Sequence, residues 1–353
     1  MTNSKLTGNA QTVLGIVSPE CLGVTLPHEH LFDDLSVYCL LGLKMEPREA
    51  TANRVFHLPL TLENLWRIPF NAPNLDNMKL QDEEIAIREA SFFQRAGGDS
   101  IVELTTSSEG RDPLALMHVS RATGLNIIMG SGYYCAATHP DDMDSKTEED
   151  ICAELVSEVT DGVADTGVRV GVIGEIGCSW PLTRNEEKVL RAAAIAQRQT
   201  GAPLSIHPGR DVKAPLEIIA ILSKAGADIS HTVMSHVDRT LRRMEDLWKL
   251  AETGCYLEYD LCGTEGYYSY SSIDLPNDHQ RVNEIMELIN QGYLSQILVS
   301  QDICTKRRLR SYGGHGYDHI LRNMVPVMRN KGMSGEQIRT LIVENPQRLL
   351  AFV

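Results

Sequence analysis

Short apolar runs at 24–31, 99–106, 126–133, 170–177, 203–208, 231–237, 255–260 and 296–302 alternate with amphipathic segments at 82–96, 112–123, 147–164, 184–200, 214–225, 239–253, 278–291 and 318–331. This rhythm is the strongest constraint on the fold. A strand that is apolar along its length must be covered on both faces, and an amphipathic helix must lay its apolar stripe on something. Gly97, Gly124, Gly201, Gly226, Gly254 and Gly292 each stand between a helical pattern and the next run, where glycine accepts the left-handed backbone that stops a helix. Eight strands alternating with eight helices predict an α/β protein with a parallel sheet, and units of this size close most economically as a (β/α)8 TIM barrel. An open doubly wound sheet is disfavoured, because no glycine-rich phosphate loop follows the first strand. The 353 residues, 42% of them hydrophobic, suffice for one large core, so residues 1–353 are expected to form a single domain.

Two segments break the rhythm. Residues 35–80 form an insertion after the first strand, expected to be partly helical and to pass over the barrel mouth. Residues 263–276 carry Tyr267, Tyr268 and Tyr270. Both follow strand ends, where barrel enzymes build their pockets; a packing role or a dimer contact is the other reading for each.

Composition narrows the function. A formal charge of −14 argues against nucleic acid or an anionic membrane as partner, since both require a basic surface. The eight cysteines are scattered, with no Cys-x-x-Cys pair, and read as reduced thiols. The start of the chain is polar, and no run is long and apolar enough to span a bilayer. A cytoplasmic protein is expected.

Chemistry concentrates where the apolar runs end. His28-Glu29-His30 closes the first run, and in a strand alternate side chains share a face, so His28 and His30 can meet one ion. Glu29 then points the other way and is expected to be structural. Glu175, His207, His236 and Asp302 each close a later run. Four imidazoles and two carboxylates suit Zn, with Mn, Co or Fe as substitutes. Six donors exceed the needs of one tetrahedral ion, whereas two ions sharing a carboxylate, about 3.5–4 Å apart in such sites, would use them all. Glu175 is the natural bridge, because its strand lies between those of the other donors. Water held between two divalent ions deprotonates near neutral pH, which defines a hydrolase. The remaining histidines, His118, His139, His231 and His279, are expected to face solvent, while His315, flanked by glycines, could reach the mouth.

Several segments together carry a family resemblance: Gln11-Thr12-Val13-Leu14-Gly15, Leu26-Pro27-His28-Glu29-His30, Ile173-Gly174-Glu175-Ile176-Gly177-Cys178-Ser179-Trp180-Pro181-Leu182, His207-Pro208-Gly209-Arg210, Met234-Ser235-His236, Tyr312-Gly313-Gly314-His315-Gly316-Tyr317 and Glu344-Asn345-Pro346. In this order they resemble the phosphotriesterase branch of the amidohydrolase superfamily, and within it the phosphotriesterase-related subgroup. The resemblance implies a distorted barrel of the amidohydrolase type, with long loops at its C-terminal face and a binuclear metal centre. His28, His30 and Asp302 would hold the more buried ion and His207 and His236 the more exposed one, with Glu175 between them. Two departures stand out. Many relatives bridge their metals with a carboxylated lysine where this chain has Glu175, and many have histidine before the last aspartate where this chain has Gln301.

The subgroup implies amide hydrolysis, with release of acetate and taurine from N-acetyltaurine. A site for that small anionic substrate must neutralise a sulfonate. Arg210, just past His207, is the candidate, with Lys306, Arg307 and Arg308 as alternatives; a guanidinium donates paired hydrogen bonds to anionic oxygens. Asp302 would accept the proton of the attacking water and deliver it to the departing amine. Tyr133, Tyr134 and Tyr259 could line the pocket or bond the tetrahedral oxyanion. A lactonase or phosphotriesterase built on the same centre remains an alternative, as does a metal-stabilised protein that binds a ligand without turnover. The family is compatible with a homodimer.

Overall fold

The structure is a computed structural model that describes residues 6–38, 49–67, 73–268 and 273–353. Eight parallel strands form one sheet: β1 (Thr25–Glu29), β2 (Ser100–Glu103), β3 (Asn126–Ser131), β4 (Val172–Gly177), β5 (Leu204–His207), β6 (Thr232–Met234), β7 (Tyr256–Tyr259) and β8 (Ile297–Val299). They pair in chain order from β1 to β8. The register holds neighbouring strand ends level, with Gly177 beside His207 and Tyr259 beside Val299. The seam between β8 and β1 is sparsely bonded: Asp302 N donates to His28 O at 3.2 Å, and Ser300 Oγ exchanges hydrogen bonds with His28 N and O. The sheet is thus a nearly closed barrel.

Helices α1 (Glu83–Arg95), α2 (Pro113–Thr123), α3 (Glu148–Thr160), α4 (Arg184–Thr200) and α5 (Ala214–Ala225) cover the first part of its outer wall. Their starts are written in sequence. Asp82, Asp112, Thr147 and Thr183 accept hydrogen bonds from backbone N–H groups of the first turn that would otherwise lack partners. Gly201 and Gly226 take φ of 74° and 86° at the ends of α4 and α5, the left-handed stop that returns the chain to the sheet. The pattern over 239–253 departs from one continuous helix: it divides into a turn at Val237–Thr240 and α6 (Met244–Ala251). Next come α7 (Asp278–Asn290) and α8 (Val325–Asn330).

Most buried apolar side chains lie between sheet and helices, including Phe93, Ile127, Ile173, Leu190, Ile206 and Met234. Inside the barrel, Val102, Leu104, Ile128 and Val172 pack with Ala10 and Leu22 of the N-terminal segment, and Val233, Tyr256 and Leu298 pack with Leu349. A hairpin of Ala10–Thr12 and Gly15–Val17 lies against β3 and closes the N-terminal end of the barrel.

The opposite end stays open. In the described part of the 35–80 insertion, a helix at Ala50–His57 and short turns at Leu65–Arg67 and Asp76–Met78 occur, and Leu35, Tyr38, Asn74, Asn77 and Met78 reach the mouth. The 263–276 segment contains a short antiparallel pair, Gly266–Tyr268 with Ile273–Leu275; Tyr270 lies outside the described residues. Two histidine expectations are corrected. His231 is buried, because the short turn before β6 tucks it under the sheet, and His139 is half-buried against the Tyr134 carbonyl.

Candidate metal centre

The six donors named from the sequence come together at the C-terminal end of the barrel. His28 and His30 leave β1 on one face, as period-two alternation requires. Glu175 sits inside β4, His207 ends β5, His236 follows β6 and Asp302 follows β8. Glu175 Oε1 lies 2.6 Å from His207 Nδ1, 2.9 Å from His236 Nε2 and 3.6 Å from His28 Nε2. Asp302 Oδ1 lies 3.1 Å from His30 Nε2 and 3.8 Å from His28 Nε2. The six donors form two clusters, one of His28, His30 and Asp302 and the other of Glu175, His207 and His236, and a third grouping of His28 and His236 with Asp260 overlaps both. His28 Nε2 tests whether they suit an ion. It is buried, has no hydrogen-bond partner among the described residues, and points between two carboxylate oxygens too far away for hydrogen bonds. Donors about 2.0–2.2 Å from a shared cation leave gaps of this size.

Three of the four imidazoles are held from the far side by an oxygen partner. His28 Nδ1 lies 2.9 Å from Glu258 and 3.2 Å from Asp260, His236 Nδ1 lies 2.7 Å from Asp260, and His30 Nδ1 lies 2.9 Å from Thr105 Oγ1. Such partners fix ring orientation and raise donor basicity. Glu258 and Asp260 are wholly buried residues of the β7 end that the sequence reading passed over. The available signal was two acids at alternating positions in an apolar strand. Choosing Tyr259 instead picks the wrong face: its side chain packs among the helices beside Glu284, away from the pocket. Tyr133 is corrected too, its hydroxyl bonding Glu154 on the outer wall. Tyr134 does line the pocket, with its ring edge-on to His207 and its hydroxyl 3.5 Å from His207 Nε2.

The backbone is forced into shape here. His236 and Asp302 adopt φ of 54° and 50°, unusual for side chains with a Cβ and characteristic of functional sites. Gly174, at φ 132°, lets β5 approach so closely that a Cβ would stand 2.4 Å from the Ser205 carbonyl oxygen. Glu29 is buried. It accepts hydrogen bonds from the Gln301 and Ile303 N–H groups and from Ser300 Oγ, which clamps the loop carrying Asp302, and burial lifts its carboxyl to about 7. Gln301 points away from the centre, its side chain reaching Glu29 and the Ile320 N–H.

Electrostatics follow from burial and crowding. Burial disfavours charge on Glu175, but His207 and His28 outweigh it and hold its carboxyl well below the usual range. Burial likewise opposes charge on His30, yet Asp302 lifts it to about 10. Burial, aided by Arg239, drives His207 down to about 3.

A cavity of about 650 Å³ opens above the cluster. Its lining includes the buried acids Asp33 and Glu109; neither Asp33 oxygen has a hydrogen-bond partner among the described residues. It also includes Arg210, Arg239, Arg307 and Arg308. Arg210 is exposed at the rim, and Lys306 is paired with Asp76. Arg308 donates to the Gln301, Asp302 and Cys262 carbonyls. Leu35, Met78, Trp180, Leu261, Ile273 and Leu275 add apolar surface. His315 lies in a neighbouring cavity, stacked on His319.

The phosphotriesterase family profile matches residues 8–350. The chain belongs to the phosphotriesterase family. An N-acetyltaurine hydrolase of Xenopus tropicalis is 47% identical over 99% of both chains, and that of Homo sapiens is 44% identical over the same shares. Among solved structures, a resiniferatoxin-binding protein from Rhodobacter sphaeroides is similar with a TM-score of 0.93 at 34% identity, covering 99% of this chain and 97% of that one. The phosphotriesterase homology protein of Escherichia coli, complexed with phosphate in its active site, is similar with a TM-score of 0.76 at 28% identity, covering 94% and 99%. This family member is a hydrolase, and its donor clusters are of the kind that bind metal. Among the described residues, no helix is long and apolar enough to cross a membrane.

Proposed function

We propose that this hydrolase cleaves the amide bond of N-acetyltaurine or a related N-acyl amino sulfonate or amino acid, using two divalent ions, most simply Zn. The observation that carries this reading is full-length identity of up to 47% with N-acetyltaurine hydrolases, in a chain whose six metal-type donors converge. His28, His30 and Asp302 would hold one ion and His207 and His236 the other, with Glu175 shared. When bound, the ions supply Lewis acidity and an activated water for attack on the acetyl carbonyl.

The chain's own groups do the rest. Asp302 is ionised, because His30 and its neighbouring imidazoles offset burial, so it can take a proton from the attacking water and hand it to the amine nitrogen, which leaves poorly without it. Tyr134 keeps its proton, since burial and the nearby Glu175 push its hydroxyl well up, and it stands where it can donate to an oxyanion. Arg210 at the rim would attract the anionic end of the substrate. The seven described cysteines are all free, which suits a cytoplasmic enzyme working as one domain, alone or as a homodimer.

The apolar half of the mouth favours one second reading, a lactonase using the same centre. Incubating zinc-loaded protein with N-acyl amino sulfonates, N-acyl amino acids, lactones and phosphotriesters, with product detection and metal analysis, separates them. Taurine release with about two ions per chain supports the proposal; lactone opening alone refutes it.

A further inference from the structure

We propose that Arg239, rather than the exposed Arg210, is the residue that selects an anionic group two carbons from the scissile amide nitrogen. The inference rests on the amide-hydrolase reading above and deepens it. Arg239 belongs to the short turn that follows His236, and the same tight backbone that presents His236 carries its guanidinium over β5. It is 7% exposed and lines the main cavity. Its Nη2 donates to the Pro208 carbonyl at 3.0 Å and lies 2.9 Å from His207 Nε2.

His207 makes this placement consequential. Its Nδ1 faces Glu175 and His236 inside the donor cluster, while its Nε2 faces Arg239. With a cation on Nδ1, a neutral ring carries its hydrogen on Nε2, so ring and guanidinium present two donors to each other. That arrangement is relieved when the guanidinium N–H turns to an anion in the cavity. A planar guanidinium in a largely water-excluded wall meets sulfonate or carboxylate oxygens in paired fashion, more strongly than an exposed one does.

The spacing fits the chemistry. Arg239 and the donor cluster stand on opposite nitrogens of one imidazole, so the guanidinium is roughly 5 Å from the cluster, about the reach of the four bonds from a carbonyl carbon to the sulfur of a taurine amide. One anionic end held there leaves the carbonyl over the cluster.

The test uses the zinc-loaded full chain. Wild-type protein, Arg239→Lys and Arg239→Gln are assayed on N-acetyltaurine and on the neutral amide in which a sulfonamide replaces the sulfonate, and taurine binding is measured by calorimetry with metal content determined in parallel. The expected result for Arg239→Gln is a rise in KM for N-acetyltaurine of at least 30-fold and loss of detectable taurine binding. KM for the neutral amide should change less than threefold at unchanged metal content, and Arg239→Lys should recover part of the anionic preference. Equal losses on both amides, or a fall confined to kcat, would overturn the assignment and place Arg239 at the carbonyl. Unaltered taurine binding would overturn it as well. Failure of the wild type to cleave either amide, with taurine binding still dependent on Arg239, would instead remove the reaction assigned above and leave the anion site standing.

Discussion

Replacing Asp260 by asparagine probes how far the buried acids of β7 set metal affinity. Asp260 lies 2.7 Å from His236 Nδ1 and 3.2 Å from His28 Nδ1, and it accepts the His236 backbone N–H at 2.9 Å. It therefore touches one ring from each donor cluster. Asparagine keeps the shape but brings an NH2 group, so whichever way the amide turns, a donor meets a donor. Losing one charge-assisted hydrogen bond costs about 1.5–3 kcal/mol. Some of that loss falls equally on the metal-free protein. The part that orients the rings for a cation is worth about 1.4–2.8 kcal/mol, the equivalent of the 10–100-fold affinity loss typical of such partners. Zinc occupancy would be followed in chelator-buffered solutions, with thermal unfolding of the same samples. The expected outcome is a half-occupancy point raised 10–100-fold, with activity largely restored at saturating zinc. Glu258→Gln is the comparison: among the described rings Glu258 touches only His28, and burial already lifts its carboxyl to about 7, so glutamine should cost less. An unchanged half-occupancy point accompanied by a lower melting temperature would refute the reasoning and leave Asp260 as a brace of the barrel.

Other perturbations test separate links. Asp302→Asn should lower kcat by about 10²–10⁴-fold in samples shown to retain metal, and unchanged turnover would exclude it as proton carrier. Arg210→Ala should raise KM for an anionic amide severalfold, an effect that fades in high salt because an exposed charge is screened; an equal loss on a neutral amide would indicate folding damage. Gly174→Ala should cost about 2–5 kcal/mol, since the added Cβ meets the Ser205 carbonyl in a backbone conformation hostile to side chains, and a wild-type unfolding midpoint would contradict that. Burial drives His231 down to about 4, below its unfolded value near 6.5, so the unfolded chain takes up a proton the fold refuses. Its contribution is complete above pH 6.5 and is lost toward pH 4, by about 3 kcal/mol, and His231→Gln should flatten that acid limb of urea unfolding relative to wild type.

The barrel was legible because its signals are local. Apolar runs and stops such as Gly201 and Gly226 declare themselves within a few residues of the boundary they set. The donor set was legible for a related reason: strand ends of a parallel barrel all face one mouth, so acids and imidazoles at those ends must converge. What escaped depends on faces and on partners distant in sequence. The face of β7 was misjudged at Tyr259 because a tyrosine and two acids alternate there, and only the neighbours decide which set turns inward. Arg239 reads as an ordinary solvated residue at a helix start, and nothing within reach along the chain announces that His207 lies beneath it. His231 looks equally ordinary until the turn before β6 is seen to fold it under the sheet.

The seam between the first and last strands has a consequence for how this protein comes to exist. His28 and Asp302 stand on opposite sides of a join held by few backbone bonds, so a cation gripping both would act as a rivet across it. The two halves of that grip are separated by most of the polypeptide, and the site cannot be finished until the final strand has left the ribosome. Withdrawal of metal should loosen the cylinder first along this line, where amide protons of β1 and β8 would exchange ahead of those in β4 and β5.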